Sequence, residues 1–153
     1  MRYSWNPLKI KPPTYLLIAI FLIVILRFTF PIMTLIPVPW TLFGVIPLIL
    51  GIVINVNADQ IFHEANTAVC PFDASSALVT YGPYRFTRNP MYLGFTLVLF
   101  GVAILAGSLT PFVIVLAFAL LIDGMFIRME EQKLASTFGA EWDTYKSRTR
   151  RWL

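Results

Sequence analysis

The chain has 153 residues, of which 58% are hydrophobic and 13% charged. An average soluble domain is about 45–50% apolar and about 25% charged, so disorder is excluded, and an ordinary soluble domain has too little polar surface here to be covered. The net charge of +4 admits nucleic acid or cytoplasmic membrane loops as its reason, and the apolar runs decide for the membrane.

A membrane helix needs about 20 mostly apolar residues. The first such run covers residues 14–33, broken by Arg27 and Pro31. No small-residue cleavage site follows it, so it reads as a retained span. The second covers residues 41–57 and contains Gly44, Pro47 and Gly51. A polar loop over residues 58–90 follows, then a third run at 91–107 and a fourth at 111–129, which carries Asp123. The second and third runs are short and can continue as helix into the adjoining polar residues. The tail over residues 130–153 is polar. Its Leu134, Phe138, Trp142 and Tyr145 recur at helical spacing, which predicts one amphipathic helix on the membrane surface.

Charge sets the orientation. Of the twelve Lys and Arg residues, all but Arg27 fall before the first run, in the 58–90 loop, or at and after the end of the fourth run. The two other connections carry none. The positive-inside rule places both termini, the loop and the tail in the cytoplasm. Trp5, Tyr15, Trp40 and Trp152 sit where aromatic belts form. The expected architecture is all-α and integral to the membrane, one domain over residues 1–153, with four transmembrane helices, a cytoplasmic loop and an amphipathic C-terminal helix. One cysteine, Cys70, and one histidine, His63, exclude an intramolecular disulfide and metal centres rich in Cys or His. Neither nucleic acid nor an obligate protein partner is indicated.

The chemistry-bearing residues lie in the loop and tail. Gly82-Pro83 and Asn89-Pro90 mark turns, and Pro90 suits the first helical position. The amides that start that helix lack intrahelical partners and favour an anionic group; the plainer alternative is a turn with two arginines facing lipid phosphates. Glu130 and Glu131 stand side by side at the end of the fourth run. Either they are a solvated helix face, or one turns inward toward a cationic or hydroxyl-rich ligand. Arg27 and Asp123 lie inside runs, so each is a functional candidate. Arg27 is expected to snorkel outward. Asp123 is expected to meet Asn55 or Asn57, or to line a tunnel.

Gly82-Pro83-Tyr84-Arg85, Arg88-Asn89-Pro90, Tyr92 and Gly94, then a helical hairpin, then Glu130-Glu131, Leu134, Phe138-Gly139, Trp142 and Tyr145: this pattern resembles the isoprenylcysteine carboxyl methyltransferase family, which is related to the membrane phospholipid methyltransferases. The resemblance covers roughly residues 75–150. It implies methyl transfer from S-adenosylmethionine to a lipophilic acceptor at the cytoplasmic membrane face, without a Rossmann fold. It also implies cofactor contacts from Ser76, Ala77, Leu78 and Val79, from Tyr84, Asn89, Pro90, Met91 and Tyr92, and from the acid Glu130. Where the family often has His, this chain has Asn89. Where the prenylcysteine enzymes place a substrate-binding arginine, one turn before that acid, it has Phe126. Arg128 is the nearest arginine and the candidate substrate-binding residue, about 200° around the helix from Phe126.

The acceptor stays open at this point. A carboxylate nucleophile needs no base, whereas an amine must first lose a proton; His63, Glu64, Asp59 and the Glu pair are the available bases. A phospholipid amine, or a small hydrophobic thiol or acid, is the alternative to a prenylcysteine-like acceptor. A non-catalytic four-helix subunit or small transporter is the alternative from another class, although the runs offer few polar residues to line a pathway.

Overall fold

A computed structural model describes residues 11–65 and 77–153. Trp5, Cys70 and Ser76 lie outside the described residues. Among those described, six α-helices form and no β-strand does. They are α1 (Pro12–Thr29), α2 (Val45–Glu64), α3 (Pro90–Ala106), α4 (Leu109–Ile122), α5 (Arg128–Phe138) and α6 (Ala140–Arg148). A 3-10 turn at Trp40–Gly44 leads into α2, and another at Gly82–Arg85 precedes α3.

Three stretches are long and apolar enough to cross a membrane: Pro12–Thr29, Trp40–Glu64 and Leu109–Phe138. α3 is apolar but shorter, at 17 residues. The expected second run thus continues helically well into the polar loop. Apolar residues point outward along these helices, Phe28 at 82% and Leu116 at 62% exposure among them. Such a girdle is costly in water and suits hydrocarbon.

Two glycine pairs bring α2 and α3 together. Gly44 meets Gly101, and Gly51 meets Gly94, which makes the helices antiparallel. A Cβ on Gly51 would sit 2.5 Å from the Gly94 carbonyl oxygen, and one on Gly94 would sit 2.1 Å from Asn55 Nδ2. Small residues on both sides let the backbones approach, which is how helices associate where no water is expelled. Gly51→Leu is therefore expected to lower stability by about 1–3 kcal/mol through overpacking. Gly124→Ala, where nothing lies within 4 Å, should not lower it. Thermal midpoints of both variants in detergent check this.

α1 packs on α3 and α4 around Ala19, Ile23, Leu99, Ala103, Phe118 and Ile122. At the far end the two short connections are tied together. Leu35 and Ile36 N–H donate to the Gly107 carbonyl at 2.9 and 3.1 Å, and Leu109 N–H donates to that of Met33 at 2.9 Å.

Between α4 and α5 the helix does not break. It widens into a π-helical turn over Asp123–Ile127, closed by the Arg128 N–H on the Asp123 carbonyl. On a straight α-helix, residues eight apart diverge by about 80°, at about 100° each. One inserted residue removes about 100°, so the wide turn brings Asp123 and Glu131 onto nearly one face.

The tail corrects one expectation. It is not one amphipathic helix but two, because Gly139 adopts φ +50° between α5 and α6. Trp142 and Tyr145 are buried, while Leu134 and Phe138 are only half-buried. The expected hydrophobic stripe is therefore divided at the glycine.

Candidate functional site

Where α2 ends, α3 begins and α5 emerges, the polar residues gather. Gly82 adopts φ +62° and lies against Ile61 of α2, so close that a Cβ there would sit 2.3 Å from Ile61 Cδ1. Next to it, Tyr84 is buried with Val79 and Ala58, packed by Ile61, Phe62 and Met91. Its ring lies 5.3 Å from that of Phe62. The Tyr84 hydroxyl pKa is pushed well up by burial first, then by Tyr145, Glu130 and Asp59. The carboxylates of Glu130 and Asp59, from α5 and α2, thus both reach this one hydroxyl electrostatically.

The two adjacent glutamates separate into different environments. Glu130 accepts a hydrogen bond from the Tyr92 hydroxyl at 2.6 Å. Glu131 is buried between two arginines: Arg88 Nε at 2.9 Å and Nη2 at 2.8 Å on one oxygen, and Arg151 Nη2 at 2.6 Å on the other. Neighbouring helical side chains point about 100° apart, which is why the pair is shared between Tyr92 and the arginines.

Arg88 is the hub of this second group. Its guanidinium also donates to the carbonyls of Thr149 and Lys146, and lies 5.9 Å from the Trp142 ring centroid. Residues 149–152 run back along the 87–89 turn. Arg88 N–H donates to the Arg150 carbonyl at 2.9 Å, and both Thr87 Oγ1 and Asn89 Nδ2 donate to the Arg151 carbonyl at 3.0 Å. Tyr145 donates its hydroxyl to the Tyr84 carbonyl at 2.7 Å. The end of the chain thus fastens the turn that starts α3.

The sequence-predicted residues are distributed as follows. Val79, Tyr84 and Met91 share one small cluster. Ala77 and Leu78 precede it half-buried. Asn89 is buried with its amide on Arg151, and does not cap the helix it precedes. Pro90 is fully buried as the first residue of α3. Tyr92 and Glu130 are joined directly. Ser76 lies outside the described residues.

Arg128 is mostly exposed and held on Asp123 at 3.0 Å. Asp123 departs from its expected partners: Asn55 and Asn57 donate to the carbonyls of Gly51 and Val53 in their own helix. Asp123 instead takes Arg128, Arg151 at 3.5 Å and the Trp152 indole N–H at 3.3 Å. The wide turn and the returning chain end supply these cations nearby, whereas α2 packs against α3. Sequence reading missed Arg88 and Arg151 as partners of Glu131. They stand 43 and 20 residues from it along the chain, so no local pattern announces the pairing.

The molecule is an apolar helical bundle with acids, tyrosines and an asparagine collected at one end. A family model for phospholipid methyltransferase matches residues 39–141, and the chain belongs to that family. No curated protein matches it. Among solved structures, the eukaryotic intramembrane Ras methyltransferase, isoprenylcysteine carboxyl methyltransferase, determined without a monobody, superposes with a TM-score of 0.68 at 24% identity. The alignment covers 99% of this chain and 54% of that one. The chain therefore spans about half that protein's length, and the likeness is one of fold.

Proposed function

We propose that this protein transfers a methyl group from S-adenosylmethionine to an amine-bearing lipid at the cytoplasmic membrane face. The chain acts in this reading as one four-span domain with both termini cytoplasmic and α3 as the short fourth crossing. The one-sided distribution of Lys and Arg supports that orientation.

The cofactor's needs match the groups at hand. S-adenosylmethionine supplies, when bound, an electrophilic methyl on a cationic sulfur, together with ribose hydroxyls and an ammonium group. Glu130, held by Tyr92, offers a carboxylate to hydroxyl or ammonium donors. Val79 and Met91 offer apolar surface, and Ala77, Leu78, Asn89 and Pro90 shape the turn around it; Ser76 completes the assignment by family resemblance.

The observation that carries the amine assignment is the fate of the arginines. A carboxylate acceptor needs a free cation beside the methyl donor. Arg88 and Arg151 are spent on Glu131 and Arg128 is held on Asp123, while Arg85, beside Tyr84, lies exposed at the surface rather than in the buried cluster. After burial and Tyr145, the Glu130 and Asp59 carboxyls also raise the Tyr84 hydroxyl, and acids on this side of the site suit an ammonium group better than a carboxylate. The match to the phospholipid methyltransferase family supports the amine lipid over a prenylcysteine-like acid.

Titration calorimetry with S-adenosylmethionine, on protein in lipid nanodiscs, tests the cofactor half of the proposal. Saturable binding is expected. Its absence in a sample with a cooperative thermal transition overturns the reading.

A further inference from the structure

The arginines of the polar end divide into two groups. Arg88, Arg151 and Arg128 are held by Glu131 and Asp123. Arg85, Arg148 and Arg150 form no ion pair among the described residues. All three are exposed. The side-chain bond made by this second group runs from Arg150 Nη1 to the Leu153 carbonyl at 3.5 Å.

The fold draws the second group together from distant parts of the chain. Thr87 and Arg150 form a parallel bridge, and the Arg88 N–H donates to the Arg150 carbonyl at 2.9 Å. Thr87 and Thr149 are buried, while their neighbours Phe86, Arg148 and Arg150 stay outside. The acids of α6, Glu141 and Asp143, stand in its first turn, at the opposite end from Arg148. The result is a cationic surface with no carboxylate paired to it among the described residues.

Apolar groups share this surface. Phe86 is 76% exposed beside Arg85, and Tyr81 is exposed at the start of the same turn. Free phosphate or an acidic protein would account for the arginines alone. A bare phenylalanine among them is the composition of a membrane interface, where the ring meets acyl chains and the guanidinium reaches phosphate. The depth agrees. Phe86 lies just before Pro90, where α3 starts, and α3 carries no charged residue along its length. With α3 crossing, the turn emerges from hydrocarbon at the level of the headgroups.

We propose that Arg85, Arg148 and Arg150, together with Phe86, form a binding surface for anionic phospholipid headgroups; this rests on the reading of α3 as a crossing helix, and not on the methyl acceptor or the cofactor. A guanidinium fork matches two phosphate oxygens. Each arginine near an anionic surface strengthens the attraction about fivefold. A headgroup whose phosphate is balanced by its own ammonium lacks that surplus charge, so the surface discriminates between lipids.

The test titrates the full chain in mild detergent with phosphatidylglycerol or with phosphatidylcholine, read by native mass spectrometry. Phosphatidylglycerol is expected to bind more tightly. Arg85→Gln and Arg150→Gln should each weaken it about fivefold, and the double variant should bring the two lipids close to parity. Arg27→Gln, which removes a cation in the last turn of α1, should leave the preference intact. Thermal midpoints should stay at the wild-type value, because the substituted groups are exposed and unpaired. Equal affinity for the two lipids in the wild type, or an undiminished preference in the double variant, overturns the proposal. Displacement of phosphatidylglycerol by inorganic phosphate or by polyglutamate would assign the surface to a soluble anion or an acidic protein, and overturns it equally. The crossing of α3 is read separately, with an impermeant thiol reagent on Val38→Cys in a Cys70→Ser background. Val38 is exposed in the connection that is tied to Gly107 at the far end, so labelling from the side of the polar end would overturn the crossing and the headgroup surface with it.

Discussion

Glu131→Gln should unfold the polar end of the protein, where α5, α6 and residues 149–152 meet, before it affects anything else. The substitution keeps the side chain's shape and removes its charge. It leaves Arg88 with only 8% of its side chain exposed and no anion against it. Removing one partner of a buried ion pair costs about 3–5 kcal/mol. For a chain of this size that is a fall of roughly 6–20 °C in thermal midpoint. The loss should spread beyond the pair. Arg88 also holds Lys146 and Thr149 and lies beside Trp142, so the docking of α6 and of residues 149–152 depends on it. Replacing the pair by apolar residues, as in Arg88→Met with Glu131→Leu, should cost less than Glu131→Gln alone, because no buried charge is then stranded. Thermal melts of the three proteins check both statements. Below the transition, Glu131→Gln should still bind cofactor.

Glu130→Gln should do the reverse. Its carboxylate is held by the Tyr92 hydroxyl, and the arginine ion pairs among the described residues go to Glu131 and Asp123. A glutamine side-chain oxygen can still accept the Tyr92 bond, so stability should change little. What is lost is the charge offered to the cofactor's ammonium or hydroxyl groups. Charge-assisted hydrogen bonds contribute about 1.5–3 kcal/mol, which corresponds to a roughly 10- to 150-fold loss of S-adenosylmethionine affinity. Calorimetry and thermal melts of Glu130→Gln and Glu131→Gln, run side by side, should give opposite results. Wild-type affinity in Glu130→Gln would show that another group holds the cofactor.

Much of this arrangement could be read from residue order, and what could not has a physical reason. The apolar runs gave the helices because hydrocarbon length and backbone satisfaction leave few alternatives. Pro90 marked the start of α3 correctly, since a residue without N–H is at home there. The acid pair and the Asn89-Pro90 turn stood out because charge and turn chemistry are local properties. Three features were beyond local pattern. The return of residues 149–152 onto the 87–89 turn joins positions some 60 apart, with no periodicity to announce it. The wide turn at Asp123–Ile127 shifts every later side chain around the helix, so facing assignments made on straight geometry drift. The spacing of Leu134, Phe138, Trp142 and Tyr145 is helical, yet Gly139 divides it. A glycine after Phe138 suits a helix end as well as a tolerated interior residue, and only the burial of Trp142 decides between them.

Protein in nanodiscs, supplied with methyl-labelled S-adenosylmethionine and vesicles containing an amine phospholipid, should place label on the headgroup nitrogen, recovered as an N-methylated lipid stable to mild base. Label released by mild base as methanol is the mark of a methyl ester and would contradict the amine assignment. No label in any lipid, from folded and cofactor-binding protein, would contradict methyl transfer to lipid altogether.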